Sequence, residues 1–123
     1  MARRAKGNQS TVEFGRELEN CVVTHLKDLG YEKARISKGS GNKGELGDVA
    51  GQDLFVAECK NRNTKNVTIK EEVWRKLLND IPLHSQRFPI YFLGNSEGRR
   101  WAVLDINEFF KLMRGYLENF GRT

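Results

Sequence analysis

Cysteine and histidine are both scarce in this chain of 123 residues, with two of each: Cys21, Cys59, His25 and His84. Two cysteines set in apolar stretches form no disulfide framework and read as reduced core residues of a protein in a reducing cytoplasm. Histidines that stand alone give no Cys/His cluster, which argues against structural zinc. No segment approaches the roughly 20 apolar residues of a membrane helix. The start, Met1-Ala2-Arg3-Arg4-Ala5-Lys6-Gly7, is charged with no apolar run behind it, so neither a membrane span nor a secretory signal is expected.

What is present fits a soluble globular domain: 38% hydrophobic and 30% charged residues, with a net charge of +5. The length suffices for one core, and the organisation read from it is a basic arm over residues 1–9 and a single domain over 10–123. Positive charge favours a polyanionic partner, and its placement matters more than its sum. Arg3, Arg4 and Lys6 form the arm. Lys33, Arg35, Lys38 and Lys43 surround a glycine-rich segment, and Lys60, Arg62, Lys65 and Lys70 follow the most apolar stretch.

Ser10 and Glu13 have capping-box spacing, and Phe14, Leu18, Val22, Leu26 and Leu29 recur at helical intervals until Gly30 supplies a left-handed stop. Residues 31–37 predict a short strand and residues 38–47 a loop too rich in glycine for regular structure. Asp48-Val49-Ala50, a turn at Gly51-Gln52-Asp53 and the apolar run over 54–60 predict a two-stranded hairpin. A helix through Val73, Trp74, Leu77, Leu78 and Ile81 should end at Pro82. Pro89 to Leu93 and Arg100 to Leu104 predict a second hairpin, and a helix starting near Asp105 carries Phe109, Phe110, Leu112, Met113, Tyr116 and Leu117. The order α-β-β-β-α-β-β-α implies an α/β fold, a central mixed β-sheet flanked by α-helices.

Glu58 and Lys60 are two apart on a strand, so both side chains leave one face while Cys59 points to the other. A carboxylate and an ammonium at the end of a buried strand are costly unless solvent, a metal or a ligand reaches them. Asp48 brings a second carboxylate to the same place. Two adjacent carboxylates resist joint ionisation unless a divalent cation lies between them, and hard oxygen donors select Mg²⁺, with Mn²⁺ as a substitute. Such a cation can polarise a phosphate and help generate hydroxide, while Lys60 orients water or offsets developing charge. A bare Glu-X-Lys is most often an ion pair. Asp48 upstream, the buried strand and the basic surroundings turn the balance towards chemistry.

Gly47-Asp48-Val49 followed by Phe55-Val56-Ala57-Glu58-Cys59-Lys60-Asn61 resembles the core signature of PD-(D/E)XK nucleases, with Gly47 where proline is usual. The helix before it fits the same pattern in Gly15, Leu18-Glu19, Val22, Leu26 and Gly30-Tyr31. The resemblance implies a restriction-endonuclease-like core, with catalytic Glu19, Asp48, Glu58 and Lys60. It implies a metal held by Asp48, Glu58 and the Cys59 backbone carbonyl, with Glu19 as auxiliary ligand; Glu13 and Glu17 lie near Glu19 in sequence. Within that superfamily the chain is most similar to small Holliday-junction resolvases, over about residues 10 to 105. That implies a homodimer making paired cuts in four-way DNA junctions, with nicking, repair or restriction-like nucleases, or a non-catalytic DNA-binding protein, as alternatives.

Arg3, Arg4, Lys6, Arg35, Ser37, Lys38, Lys43 and Arg62 are the candidate DNA-backbone contacts; Ser40 shares the loop, and each one also reads as ordinary surface. His25, His84, Trp74 and Trp101 fit packing or loop positions. Asp53 and Glu45 are reserve metal ligands. For the last helix, core packing is the first expectation and a dimer contact the second.

Overall fold

The computed structural model describes residues 11–38 and 46–121. Phe14, Leu18, Val22 and Leu26 are all buried along α1 (Thr11–Asp28). Leu29 is not: it is 69% exposed. The helix closes one residue earlier, with Gly30 at φ 107°, its N–H donating to Lys27 O and the Tyr31 N–H to Leu26 O. This paired closure is a Schellman turn, which needs the left-handed residue that glycine supplies. Tyr31, past the turn, packs against the core instead of Leu29. Ser10 lies outside the described residues.

The expected strand over 31–37 is reduced to β1 (Arg35–Ile36), and β2 is only Val49–Ala50. The first hairpin also differs from expectation. The ladder partner of β2 is β1, with Arg35 opposite Ala50 and Ile36 opposite Val49. Towards β3 (Phe55–Asn61), the Asp48 N–H donates to Ala57 O at 2.8 Å. The turn between β2 and β3 closes around a side chain. Buried Gln52 donates from Nε2 to Val49 O and Phe55 O, and its Oε1 accepts from the Leu54 and Phe55 N–H groups. Replacing it strands several buried backbone groups, each worth ~1–3 kcal/mol when unsatisfied. Gln52→Leu is therefore expected to lower stability by about 2–3 kcal/mol in urea denaturation. A change within about 0.5 kcal/mol would mean that the turn holds without this side chain.

β3 pairs in parallel with β4 (Phe88–Gly94), from Phe55 opposite Phe88 to Asn61 opposite Gly94. β5 (Arg100–Val103) runs antiparallel to β4, giving the order β3-β4-β5 in a mixed sheet. Pro89 sits inside central β4 without loss. Phe88 N–H donates to Leu54 O, so the next residue's N position faces the β5 side, and β5 reaches only to Val103 opposite Tyr91. α1 covers one face of the sheet, over Phe55, Ala57 and Ile90. α2 (Glu71–Asp80) contacts β3 and β4, buries Leu77 and ends just before Pro82. The result is a mixed α/β fold, a mixed sheet flanked by helices, compatible with a restriction-endonuclease-like core.

α3 (Ile106–Asn119) starts where Asp105 caps it, its carboxylate accepting the Asn107 N–H at 2.9 Å. Core packing of this helix was the first expectation, and the fold corrects it: α3 buries none of its residues. Among the described residues, no helix is long and apolar enough to cross a membrane.

Candidate active site

Strand alternation sends Glu58 and Lys60 off one face of β3, where Lys60 Nζ lies 3.2 Å from Glu58 Oε2. The pair sits at a lip rather than in the core, with side chains 20% (Glu58) and 32% (Lys60) exposed. Asp48 approaches along the edge of β3 that faces away from β4. Its Oδ2 accepts the Cys59 N–H at 2.7 Å and its backbone carbonyl accepts the Ser37 N–H at 3.0 Å. With its own N–H on Ala57 O, Asp48 is held from three sides. In a strand, the N–H and C=O of one residue point to the same edge, so the Cys59 carbonyl leaves β3 beside Asp48.

The electrostatics show how closely these groups sit. Burial pushes the Asp48 carboxyl up to about 6, against the Cys59 N–H, and the charges of Glu58 and Glu19 raise it further while Lys60 lowers it. Glu19, half-buried on α1, is also raised, first by burial; Arg16 opposes this, Glu58 adds to it and Lys60 opposes it. Three carboxylates and one ammonium, from α1, the approach to β2 and the end of β3, thus share one field. The Cys59 thiol is pushed up from its ordinary value by burial and by Asp48, Glu19 and Glu58, which keeps it neutral and a poor nucleophile.

Among the described residues, no group of three or more His, Cys, Asp or Glu side chains is placed to hold a metal ion. The donor set still fits Mg²⁺, which keeps several waters and takes one or two carboxylates with substrate phosphates supplying the rest. Asp48 Oδ1, Glu58 and the Cys59 carbonyl are hard oxygen donors of that kind.

Other candidates are distributed unevenly. The Ser37 hydroxyl is buried with no hydrogen-bond partner among the described residues, one backbone bond from Asp48. Arg35 and Lys38 are exposed on either side of it, and Arg62 is exposed just past β3, its N–H on Gly94 O at 3.0 Å. Arg3, Arg4, Lys6, Ser40, Lys43 and Glu45 lie outside the described residues. Asp53 accepts the Tyr31 hydroxyl at 2.9 Å, which ties it to the turn. His25 and His84 are exposed, and Trp74 is partly buried on α2.

Two features escaped sequence reasoning. Asn61, given no role beyond its place in the signature, donates from Nδ2 to Phe14 O at 2.8 Å and so fastens the end of β3 to the first turns of α1, fixing Glu19 relative to Lys60. Its signal was available: it occupies the α1-facing alternate position right after Lys60. Lys65, Arg99 and Trp101 border an open groove of about 640 Å³ beside the β4–β5 turn. Asn95 ties that turn to the segment after β3, its Nδ2 on Lys65 O at 2.9 Å. Only the fold brings these separate stretches together.

No protein-family model matches the chain, and no solved structure does. Among curated proteins the chain is similar to the crossover junction endodeoxyribonuclease Hje of Saccharolobus solfataricus (strain ATCC 35092 / DSM 1617 / JCM 11322 / P2). The two are 26% identical over 96 residues, spanning 75% of this chain and 71% of that protein.

Proposed function

We propose that this chain is a divalent-metal-dependent DNA endonuclease of the PD-(D/E)XK type that cuts four-way junctions as a homodimer. The observation that carries the reading is Asp48, pinned by the Cys59 N–H with its carboxyl raised to about 6, in one field with Glu58, Lys60 and Glu19. A carboxylate kept half-protonated near pH 6 by burial and like charge is poised to exchange that proton for a cation. The distant likeness to a crossover junction endodeoxyribonuclease supports DNA as the partner and a branched substrate.

Asp48, Glu58 and the Cys59 carbonyl would hold Mg²⁺, or Mn²⁺ in its place, with Glu19 as auxiliary ligand. When bound, the metal supplies Lewis acidity to the phosphate and acidity to water. Lys60, held by Glu58, orients the attacking water and offsets the charge that grows on the phosphoryl oxygens. Water forms the new P–O bond, one ester P–O bond breaks, and the proton lost by water ends on the departing alkoxide. Arg35, Ser37, Lys38 and Arg62, with Arg3, Arg4, Lys6 and Lys43, position the backbone through phosphate contacts. One metal-centred site per chain makes one cut, and a twofold dimer makes the pair that junction resolution requires.

The test is cleavage of labelled four-way, flap, nicked and linear duplex DNA with Mg²⁺ and with Mn²⁺. The four-way junction is expected to be cut at least roughly tenfold faster than the others, a difference of about 1.4 kcal/mol. Equal cutting of all four would remove junction selectivity and leave a general nuclease. No cutting under either metal would remove the enzyme reading.

A further inference from the structure

α3 is amphipathic. Ile106, Phe109, Phe110, Met113, Leu117 and Phe120 fall within one arc of its surface, while Asn107, Lys111, Arg114 and Glu118 fall opposite. The apolar side nevertheless faces water: Phe110 is 57% and Phe120 65% exposed. A helix of 14 residues with no buried face gains no tertiary support, and isolated helices below ~12–15 residues are marginal in water.

Among the described residues, the same chain also carries an apolar groove that no side chain fills. α1 lies over β3 and Ile90 and leaves the adjoining face at Phe92 and β5 open, forming a trough of about 260 Å³. Leu18, Val22 and Leu26 form its floor, and Leu29, Phe92 and Trp101 its walls. The displaced Leu29 and the 38% exposed Trp101 are therefore parts of one surface. Within its own chain α3 does not enter this trough. Only Leu104 and Asp105 join it to β5; Leu104 packs against the core and Asp105 already caps the helix, which sets its direction at the root.

We infer that the α3 helix of a second copy of this chain seats its apolar face in the trough between α1 and β5, reciprocally about a twofold axis. The amount of surface agrees. The six apolar side chains of this face are 38% to 67% exposed, so covering all of them removes roughly 700 Å² per chain from water, somewhat over half of it from the three phenylalanines. A standard stable interface takes about 800 Å² per partner, and crystal-packing-sized contacts fall well below that. An isologous exchange also gives each copy the same groove and the same helix, so the assembly closes at two. This deepens the dimeric part of the reading above and depends on surface chemistry alone, so it stands or falls without any cleavage assay.

Cys21 lines the trough and lies free there, which provides a built-in probe. In full-length Met113→Cys, mild oxidation is expected to join Cys21 of one chain to position 113 of the other, seen as a covalent dimer on a non-reducing gel. Cys21→Ser in the same background should abolish it. An intrachain bond, seen as a faster-moving monomer, would overturn the exchange. In sedimentation equilibrium the unmodified protein is expected to be dimeric, and Phe110→Glu on the helix or Ala102→Glu in the trough should each weaken association at least roughly 100-fold. A monomeric parent protein, or a dimer that neither charge disturbs, would equally overturn it, whatever the crosslink yield.

Discussion

Asp48→Asn and Glu58→Gln are each expected to lower DNA cleavage by at least about a thousandfold, roughly 4 kcal/mol of transition-state stabilisation, while leaving DNA binding nearly intact. Affinity comes mainly from cations on phosphates, which neither substitution touches. For Asp48 the stability effect has the opposite sign. Its carboxyl sits at about 6, above the ordinary 3.8, so the folded protein holds this proton more tightly than the unfolded chain does. Stability is therefore lost as pH rises from about 4 through about 6, and above that the cost is complete, about 2–3 kcal/mol. Asparagine removes the charge and keeps an oxygen for the Cys59 N–H. Asp48→Asn should thus be more stable than the parent protein at pH 7.5 by about 1–3 kcal/mol and equal to it near pH 4. Urea denaturation at the two pH values, beside cleavage of a labelled junction, measures both halves. Cleavage within tenfold of the parent would take Asp48 out of the mechanism. Absence of the stability gain would mean that the carboxylate is not under electrostatic strain.

That a catalytic candidate weakens the fold bears on what the sequence could disclose. Glu58-X-Lys60 at the end of an apolar strand is a local statement, and alternation alone puts both groups on one face. The stripe of α1, the stop at Gly30, the break at Pro82 and the cap at Asp105 are likewise decided within a turn or two of chain. The partner of β2 is not. Two residues, Val49 and Ala50, carry no pattern, and their ladder partner, Arg35–Ile36, lies well upstream across the glycine-rich segment, whereas the four Gln52 bonds of the following turn are local to it. Leu29 and α3 were misread for another reason. Apolar periodicity reports that a face is apolar, not whether the chain itself covers it, so a face left exposed reads as core. The approach of Asp48 to the end of β3 was inferable from the predicted hairpin, but the bond its carboxylate accepts from the Cys59 N–H, 11 positions away, was not.

Gly47 stands where the nuclease signature that this chain resembles has proline, and placing proline there is expected to damage the protein. Gly47 has φ 74°, whereas proline is confined near −65°. There is no room either. A Cβ at this position would lie 2.6 Å from Ala57 O and 2.8 Å from Ala57 N, with Val56 Cγ1 at 3.1 Å. The obstacle is the backbone of buried β3, which cannot yield as a flexible side chain would. Gly47→Ala meets the contact and the left-handed strain together and should cost about 2–4 kcal/mol. Gly47→Pro adds an unreachable φ and should cost more than about 4 kcal/mol, or force the approach to Asp48 onto another path. On that other path the Asp48 N–H would leave Ala57 O and its carboxylate would leave the Cys59 N–H. Cleavage should then fall at least about 100-fold even at temperatures where the variant stays folded by circular dichroism. Near-native stability and turnover in Gly47→Pro would show that the chain can reach Asp48 with ordinary backbone angles. The contrary result would mean that here the carboxylate is delivered by a glycine pressed against β3, so the position before Asp48 is fixed by contact with the strand that carries Glu58 and Lys60.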